Sequence, residues 1–217
     1  MGAYVLSAAC PYFPKGTVHV VVIDPGVGTK RKAIVIQTKN GYFVGPDNGV
    51  LALAAKSQGI MHVYRIENPK FVLPTISHTF HGRDVFAPAA AHLANGVSPS
   101  EFGPEIPKIV TPKYAKITKR RNALTGEVIH VDGFGNIVTN VREEDCDLVG
   151  VKKTVDLKLE DNRLKLKLCK AYSEVKAQQP LVIIGSHNFL EISINQGNAA
   201  ENFQTRAGDK VTLYYYI

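Results

Sequence analysis

Thr17-Val-His-Val-Val-Val-Ile-Asp24-Pro-Gly-Val-Gly-Thr-Lys-Arg31 opens as a run of β-branched residues long enough for one buried strand. The run stops at Asp24-Pro25-Gly26. Pro25 cannot donate to a ladder, and Gly26 and Gly28 allow backbone angles closed to other residues. A carboxylate therefore stands at the carboxyl end of a strand, on a Gly-rich loop that runs on to Arg31. In open α/β sheets ligands bind at that end. The stretch has two readings. Asp24 and Arg31 belong to a ligand site, or Asp24 caps a turn and Arg31 is a solvated charge.

Around this stretch the pattern alternates. Residues 3–9 read as a short helix, 12–16 as a turn and 32–38 as a second strand. Asn40-Gly41 signals a hairpin, with 42–44 returning. Residues 50–58 read as a helix closed by Gly59, and 61–66 as a strand. Asp84 opens an Ala-rich helix over 85–95, with Pro88 tolerated near its first turn. Strands alternating with helices predict an α/β N-terminal domain. Residues 99–112, with prolines at 99, 104, 107 and 112, read as a linker. Beyond it the helix signals vanish. Strands are expected over 127–131, 137–141, 154–159, 164–168, 181–184, 190–194 and 211–217. Val155, Leu157 and Leu159 are expected to answer Leu164, Leu166 and Leu168 across an Asp161-Asn162 turn. The expectation is an α/β domain over 1–112, followed by an all-β barrel or sandwich over 113–217.

The 217 residues carry 45% hydrophobic and 21% charged side chains, an ordinary globular composition with enough apolar material for a core. No apolar run is long enough to cross a bilayer, and the first residues carry no signal-peptide pattern. Cys10, Cys146 and Cys169 are few, odd in number and far apart. They fit a reducing cytosol better than a disulfide framework or a zinc site. The net charge of +7 is concentrated over 113–121 and 152–170, where lysines alternate with leucines as on the wet face of a hairpin. No basic stripe is interleaved with aromatics, so the charge reads as solubility and not as nucleic-acid binding.

Five polar clusters fall on loops: 24–31, Pro46-Asp47-Asn48-Gly49, 78–84, Asp132-Gly-Phe134-Gly-Asn136, and Gly185-Ser186-His187-Asn188. Each alone has an ordinary structural reading. Asp47-Asn48 makes a turn and helix cap, His78 or His81 a satisfied histidine, and 132–136 a hairpin loop. Gly26-x-Gly28 lacks the rest of a phosphate-binding fingerprint, and the histidines lack metal-ligand spacing.

Taken together and in order, the clusters say more. They are Asp24-Pro-Gly-Val-Gly-Thr-Lys-Arg31, Pro46-Asp-Asn-Gly49, Thr79-Phe-His-Gly-Arg-Asp84, Asp132-Gly-Phe-Gly-Asn136 with Thr139-Asn140, and Gly185-Ser186 with Leu190-Glu191-Ile192. The set resembles the S-adenosyl-L-methionine (SAM) hydrolases, also called SAM hydroxide adenosyltransferases, relatives of the fluorinases and chlorinases. The resemblance runs from about Tyr12 to the C-terminus. It implies an α/β domain joined to a β domain and a trimer, with SAM held where one subunit's N-terminal domain meets a neighbour's C-terminal domain. It also implies attack by water or hydroxide on the ribose C5′, releasing methionine and adenosine.

By that resemblance, Asp24, Arg31 and His81 form the set that handles water. Asn136, with Phe134 nearby, contacts adenine, and Asp132 and Ser186 hold the methionine end. Tyr172 supplies an aromatic wall, and Glu191 belongs to the substrate-binding residues. SAM is the substrate, and neither cofactor nor metal is implied. The thioether leaves neutral, so the reaction needs a positioned nucleophile and a dry site. Asp24 or His81 can accept a proton, whereas Arg31 stays protonated. The family begins with a further segment bearing an acidic Thr-Asp-Phe-Gly-type motif, for which this sequence has no counterpart, so the expectation is either a sequence that starts after that segment or a protein that lacks part of the pocket. In the halide-using relatives a tyrosine stands at the Asp24 position, and tyrosine and serine at His81 and Gly82. The alternatives are such a halide-using enzyme, or a catalytically silent SAM- or adenosine-binding protein.

Overall fold

The computed structural model describes residues 1–146 and 154–214. Lys152 and Lys153 of the basic segment, and residues 215–217 of the last expected strand, lie outside the described residues. The chain separates into two compact units, Gly2–Pro112 and Lys113–Ile217.

The first unit runs α1 (Gly2–Ala9), β1 (Thr17–Val20), β2 (Ala33–Thr38), β3 (Gly41–Pro46), α2 (Ala52–Ser57), β4 (Ile60–Arg65) and α3 (Ala87–Ala94). The sheet order is β1-β3-β2-β4. Only β1 and β3 pair in parallel, and the other neighbours are antiparallel. Alternation along β2 and β3 gives the sheet two apolar faces. Ile34, Ile36 and Phe43 pack with Leu51, Ala54 and Ala55 at and within α2, and with Leu6 and Cys10 around the end of α1. Val35 and Val44 pack on the other face against Val85, Phe86, Ala89, Ala90 and Leu93.

The opening stretch departs from expectation. It is not a buried strand over 17–23. β1 ends at Val20, lies at the sheet edge, and leaves Val20, Val22 and Ile23 at 43%, 46% and 51% exposure. A run of β-branched residues predicts a strand, but it cannot say whether one side has a neighbour.

Two further expectations change. The helix over 85–95 is a π-helical turn, Gly82–Phe86, followed by α3, with Pro88 in the first turn of α3. The 99–112 stretch is not a free linker. Pro99–Phe102 is a 3₁₀ turn, and Phe102 is fully buried. The Ile106 N–H donates to the Val63 carbonyl at 2.8 Å, and the Val110 N–H to Asp47 Oδ1 at 2.7 Å. The prolines shape the path, but Phe102, Ile106 and Ile109 bind it to the unit by burying apolar surface.

The second unit holds β5 (Thr118–Arg120), β6 (Ala123–Val131), β7 (Ile137–Arg142), β8 (Thr154–Leu159), β9 (Asn162–Cys169), β10 (Pro180–Ile184), β11 (Phe189–Ile194), α4 (Ala199–Asn202) and β12 (Lys210–Tyr214). The order β12-β8-β9-β10-β11-β7-β6 closes because β12 also pairs with β6, and β5 lies outside on β6. The result is a seven-stranded barrel, filled by residues such as Leu124, Val141, Leu157, Leu190 and Leu213. Closure removes the free edges that seven short strands would otherwise expose.

An all-β description is too strict for this unit, because α4 sits between β11 and β12, capped by Asn198 on the Glu201 N–H. The β8–β9 hairpin is shifted from its expected register. Val155 faces Leu166, Leu157 faces Leu164 and Leu159 faces Asn162, so the turn is Glu160-Asp161. Leu168 instead pairs with Val182 across a parallel β9–β10 contact. The fold is thus two units with mixed sheets and few helices. Among the described residues no helix is long and apolar enough to cross a membrane.

Candidate active site

The site begins where β1 leaves the ladder. The Val21 N–H donates to the Val44 carbonyl at 2.9 Å, and Asp24 follows at the head of the loop. Pro25 disfavours helical backbone at the residue before it. The Val27 N–H returns to the Asp24 carbonyl and the Thr29 N–H to the Gly26 carbonyl, both at 3.1 Å. These two turns reverse the chain and bring Arg31 back onto Asp24. Arg31 Nε donates to Oδ1 and Oδ2 at 3.0 and 2.8 Å, and Nη2 donates to Oδ2 at 2.5 Å. The Arg31 and Asp24 side chains are only 10% and 5% exposed. Arg31 also lies over the Phe86 ring, 5.1 Å from its centroid. Arg31 is therefore not a solvated charge but is paired with Asp24 and shielded from solvent.

The loop before the π-helical turn brings in the third group. Arg31 Nη2 donates to His81 Nδ1 at 2.7 Å. A guanidinium has no lone pair to offer, so Nδ1 is the acceptor and the neutral ring carries its proton on Nε2. His81 then presents a donor, and it is not set up as a base. The Asp24 carboxylate remains the acceptor of the set: Oδ2 takes two Arg31 nitrogens, and Oδ1 takes one and keeps a second lone pair.

Two backbone features join these loops. Gly28 has φ +76°, and a Cβ there would come within 2.6 Å of the His78 carbonyl oxygen. The second feature is Asp84. Its side chain is fully shielded from solvent, accepts the Ser77 N–H at 2.8 Å and pairs with Arg83 at 2.6 Å. The expected helix cap is thus a clasp on the His81 loop. The Arg83 guanidinium, helped by the Ser77 N–H, holds the Asp84 carboxyl down at about 2, against the opposing effect of burial. A carboxyl depressed in the folded state contributes stability that is fully present above its unfolded value near 4. That contribution is lost as pH falls from there toward about 2. In denaturant titrations, the stability gap between the parent and Asp84→Asn should narrow over that window. A gap that does not change with pH would show that the clasp does not depend on the charge.

The remaining residues lie in the second unit. Asp132 accepts the Phe134 and Asn136 N–H groups on Oδ1, both at 2.9 Å, and Asn136 Nδ2 on Oδ2 at 2.9 Å. Asp132 therefore builds its own loop and orients the Asn136 amide, whose Oδ1 points away from that bond as an acceptor. Phe134 stands 80% exposed at the loop tip. Tyr172 and Glu191 are brought together: the phenol donates to Glu191 Oε1 at 2.8 Å. Ser193 Oγ donates to the same oxygen at 2.7 Å, and His187 Nε2 lies 3.3 Å from Oε2. Burial works to raise the Glu191 carboxyl, but the donors from His187, Ser193 and Tyr172 outweigh it and leave the group below the ordinary glutamate value. Ser186 is exposed on the turn between β10 and β11. Among the described residues, no group of three or more His, Cys, Asp or Glu could hold a metal ion.

Residues 1–103 match the SAM hydroxide adenosyltransferase N-terminal domain, and residues 126–212 match the C-terminal domain of the same family. The chain belongs to the SAM hydroxide adenosyltransferase family. It is 39% identical to the (R)-S-adenosyl-L-methionine hydrolase of Methanocaldococcus jannaschii, over 99% of this chain and 77% of that protein. It is 36% identical to the hydrolase of the same name from Thermus thermophilus, over 97% of this chain and 81% of that protein. A fluorinase from an Actinoplanes species is more distant, at 25% identity over 93% of this chain and 78% of that protein. A conserved protein of Thermotoga maritima, known from its crystal structure, superposes with a TM-score of 0.85 at 37% identity, covering 98% of this chain and 82% of that one.

For this SAM hydroxide adenosyltransferase, sequence reasoning missed Ser193, and it read Asn48 as part of a turn, a helix cap and a family motif without a contact of its own. Ser193 was legible in principle, because residues two apart on one strand share a face and Glu191 precedes it by two.

Proposed function

We propose that this protein hydrolyses S-adenosyl-L-methionine to adenosine and L-methionine. The oxygen of water or hydroxide forms a bond to the ribose C5′. The C5′–S bond breaks with its electron pair going to sulfur, and methionine leaves as a neutral thioether. The water proton passes to Asp24 or to solvent. The observation that carries this reading is the continuous Asp24–Arg31–His81 network, in a chain 39% identical to a named hydrolase.

Each group has a role its chemistry suits. Asp24 accepts from the attacking water. Arg31 fixes the carboxylate at two nitrogens and occupies His81 Nδ1, so that His81 Nε2–H donates to the nucleophile oxygen. Arg31 is held rigid and nearly dry, where its orientation costs nothing at the moment of reaction. Asn136 and Phe134 receive adenine. Asp132, Ser186, Tyr172 and Glu191 serve the methionine end, Asp132 through the loop it builds. No cofactor enters the proposal, because a neutral leaving group needs neither a general acid nor an electron carrier. The relatives' names specify the R configuration at sulfur, and the R epimer is the substrate proposed here. A homotrimer is proposed with it on the resemblance alone, and a cytoplasmic setting on the three scattered cysteines.

A negative charge at Asp24 opposes a halide nucleophile. At about 4 Å the repulsion from the carboxylate taken by itself is on the order of 4 kcal/mol at a surface-like effective dielectric, and the paired Arg31 offsets part of it. Chromatography of the protein with the R and S epimers, with and without chloride or fluoride, tests the reading. Adenosine and methionine should form in equal amounts from the R epimer whatever halide is present. A 5′-halo-adenosine product would make it a halide-using enzyme, and SAM bound without turnover would make it a silent binder.

A further inference from the structure

We propose that Asn48 is a positioning residue for the water-attack step, acting through the peptide that carries Asp24. This rests on the function proposed above. Along a parallel ladder, a residue that donates to its neighbour's carbonyl also accepts, on its own carbonyl, the N–H two positions further along that neighbour. Val21 donates to the Val44 carbonyl, so the next rung should run from the N–H of residue 46 to the Val21 carbonyl. Residue 46 is proline and has no N–H. The ladder fails there, just before the segment that bears the carboxylate.

The rung after it would run from the N–H of residue 48 to the Ile23 carbonyl. The Asn48 backbone has turned away, and its N–H donates to the Pro46 carbonyl at 2.9 Å. The side chain takes its place, with Asn48 Nδ2 donating to the Ile23 carbonyl at 2.8 Å. Asn48 Oδ1 accepts the Val50 N–H at 3.1 Å, which anchors the amide at the entry to α2. The Ile23 carbonyl and the Asp24 nitrogen belong to one planar peptide, so this bond sets the plane from which Asp24 departs. Gly45 keeps room for the approach, since a Cβ there would come within 2.5 Å of the Val21 carbonyl oxygen. The chain of contacts runs from Asn48 to the Ile23–Asp24 peptide, then to the Asp24 carboxylate, Arg31 and His81.

Asn48→Asp keeps an oxygen for Val50 and replaces the donor to Ile23 with a charged oxygen that repels the carbonyl. It should lower kcat roughly tenfold to a hundredfold, the cost of a small misplacement of reacting groups. KM should stay within about twofold and the melting temperature near the parent's, a split that general destabilisation does not produce. Asn48→Ser, too short to reach Ile23, should behave alike and covers the case in which the aspartate variant does not fold. Nitrogen NMR of the Arg31 Nε–H and the His81 ring reads the same contact without any substrate. The parent should show an Nε2-protonated His81, and the variants should lose that single tautomer. If the parent protein makes no adenosine, the hydrolase reading fails, and the NMR comparison still decides whether Asn48 orders the set. Unchanged Arg31 and His81 signals in both variants, or a parent-like kcat, would overturn the proposal.

Discussion

Asp24→Asn is expected to lower the rate of adenosine release by roughly 10²–10⁴-fold, the range by which positioned acid–base groups accelerate reactions. The substitution preserves shape and removes charge. Arg31, which donates to both carboxylate oxygens, would then face an amide with only one acceptor atom. Its Nη2 contact to His81 Nδ1 depends on the same placement, so the variant loses the acceptor and loosens the donor together. SAM affinity should change little, because the group acts on the nucleophile and not on the substrate's recognised ends. A fall in kcat and kcat/KM by the same factor is the signature of an interaction made only in the transition state. Single-turnover kinetics beside equilibrium binding would measure both. Full turnover by the variant would remove Asp24 from the reaction.

Phe43→Ala is expected to lower folding stability by about 3–5 kcal/mol, the usual range for emptying a buried aromatic site. Phe43 is fully buried on β3 and stacks on His19 of β1, with ring centroids 5.1 Å apart. It belongs to the apolar cluster with Ile34, Ile36 and Leu51. Burial also lowers the pKa of His19, so the stacked ring is favoured in its neutral form. The neighbouring residue, Val44, supplies the last backbone rung before Asp24, so the loss of stability should bring a loss of activity on warming. Urea titration followed by circular dichroism would give the number. A change below about 1 kcal/mol would mean that neighbouring side chains collapse into the space.

Much of the local structure was legible because local signals agree with one another. The Asn40-Gly41 turn, the alternation along 154–159 and the Gly59 stop each rest on a few adjacent residues, and β2, β3, β8 and α2 lie close to where they were expected. The motifs at 24–31, 79–84 and 132–136 were legible as a set because their residue types and order are unusual. Their contacts were not. Nothing in the spacing of Arg31 and His81 tells that one nitrogen of the guanidinium occupies Nδ1, which decides that the ring donates. Likewise the resemblance gives Asp132 to the methionine end, and nothing in the sequence shows that its oxygens accept from Phe134 and Asn136 in its own loop.

By itself the sequence determined where β2, β3, β8 and α2 form and which family the chain belongs to, since these depend on neighbours along the chain and on an ordered set of motifs; it missed β5 and α4 and misplaced the β8–β9 turn. The tertiary structure alone decided which strand lies at an edge, because a β-branched run is the same whether or not another strand flanks it. It alone closed the barrel, through the second pairing of β12 with β6, residues far apart in the chain. It alone put an asparagine amide where a proline had removed a rung, because that substitution exists only once two strands lie side by side.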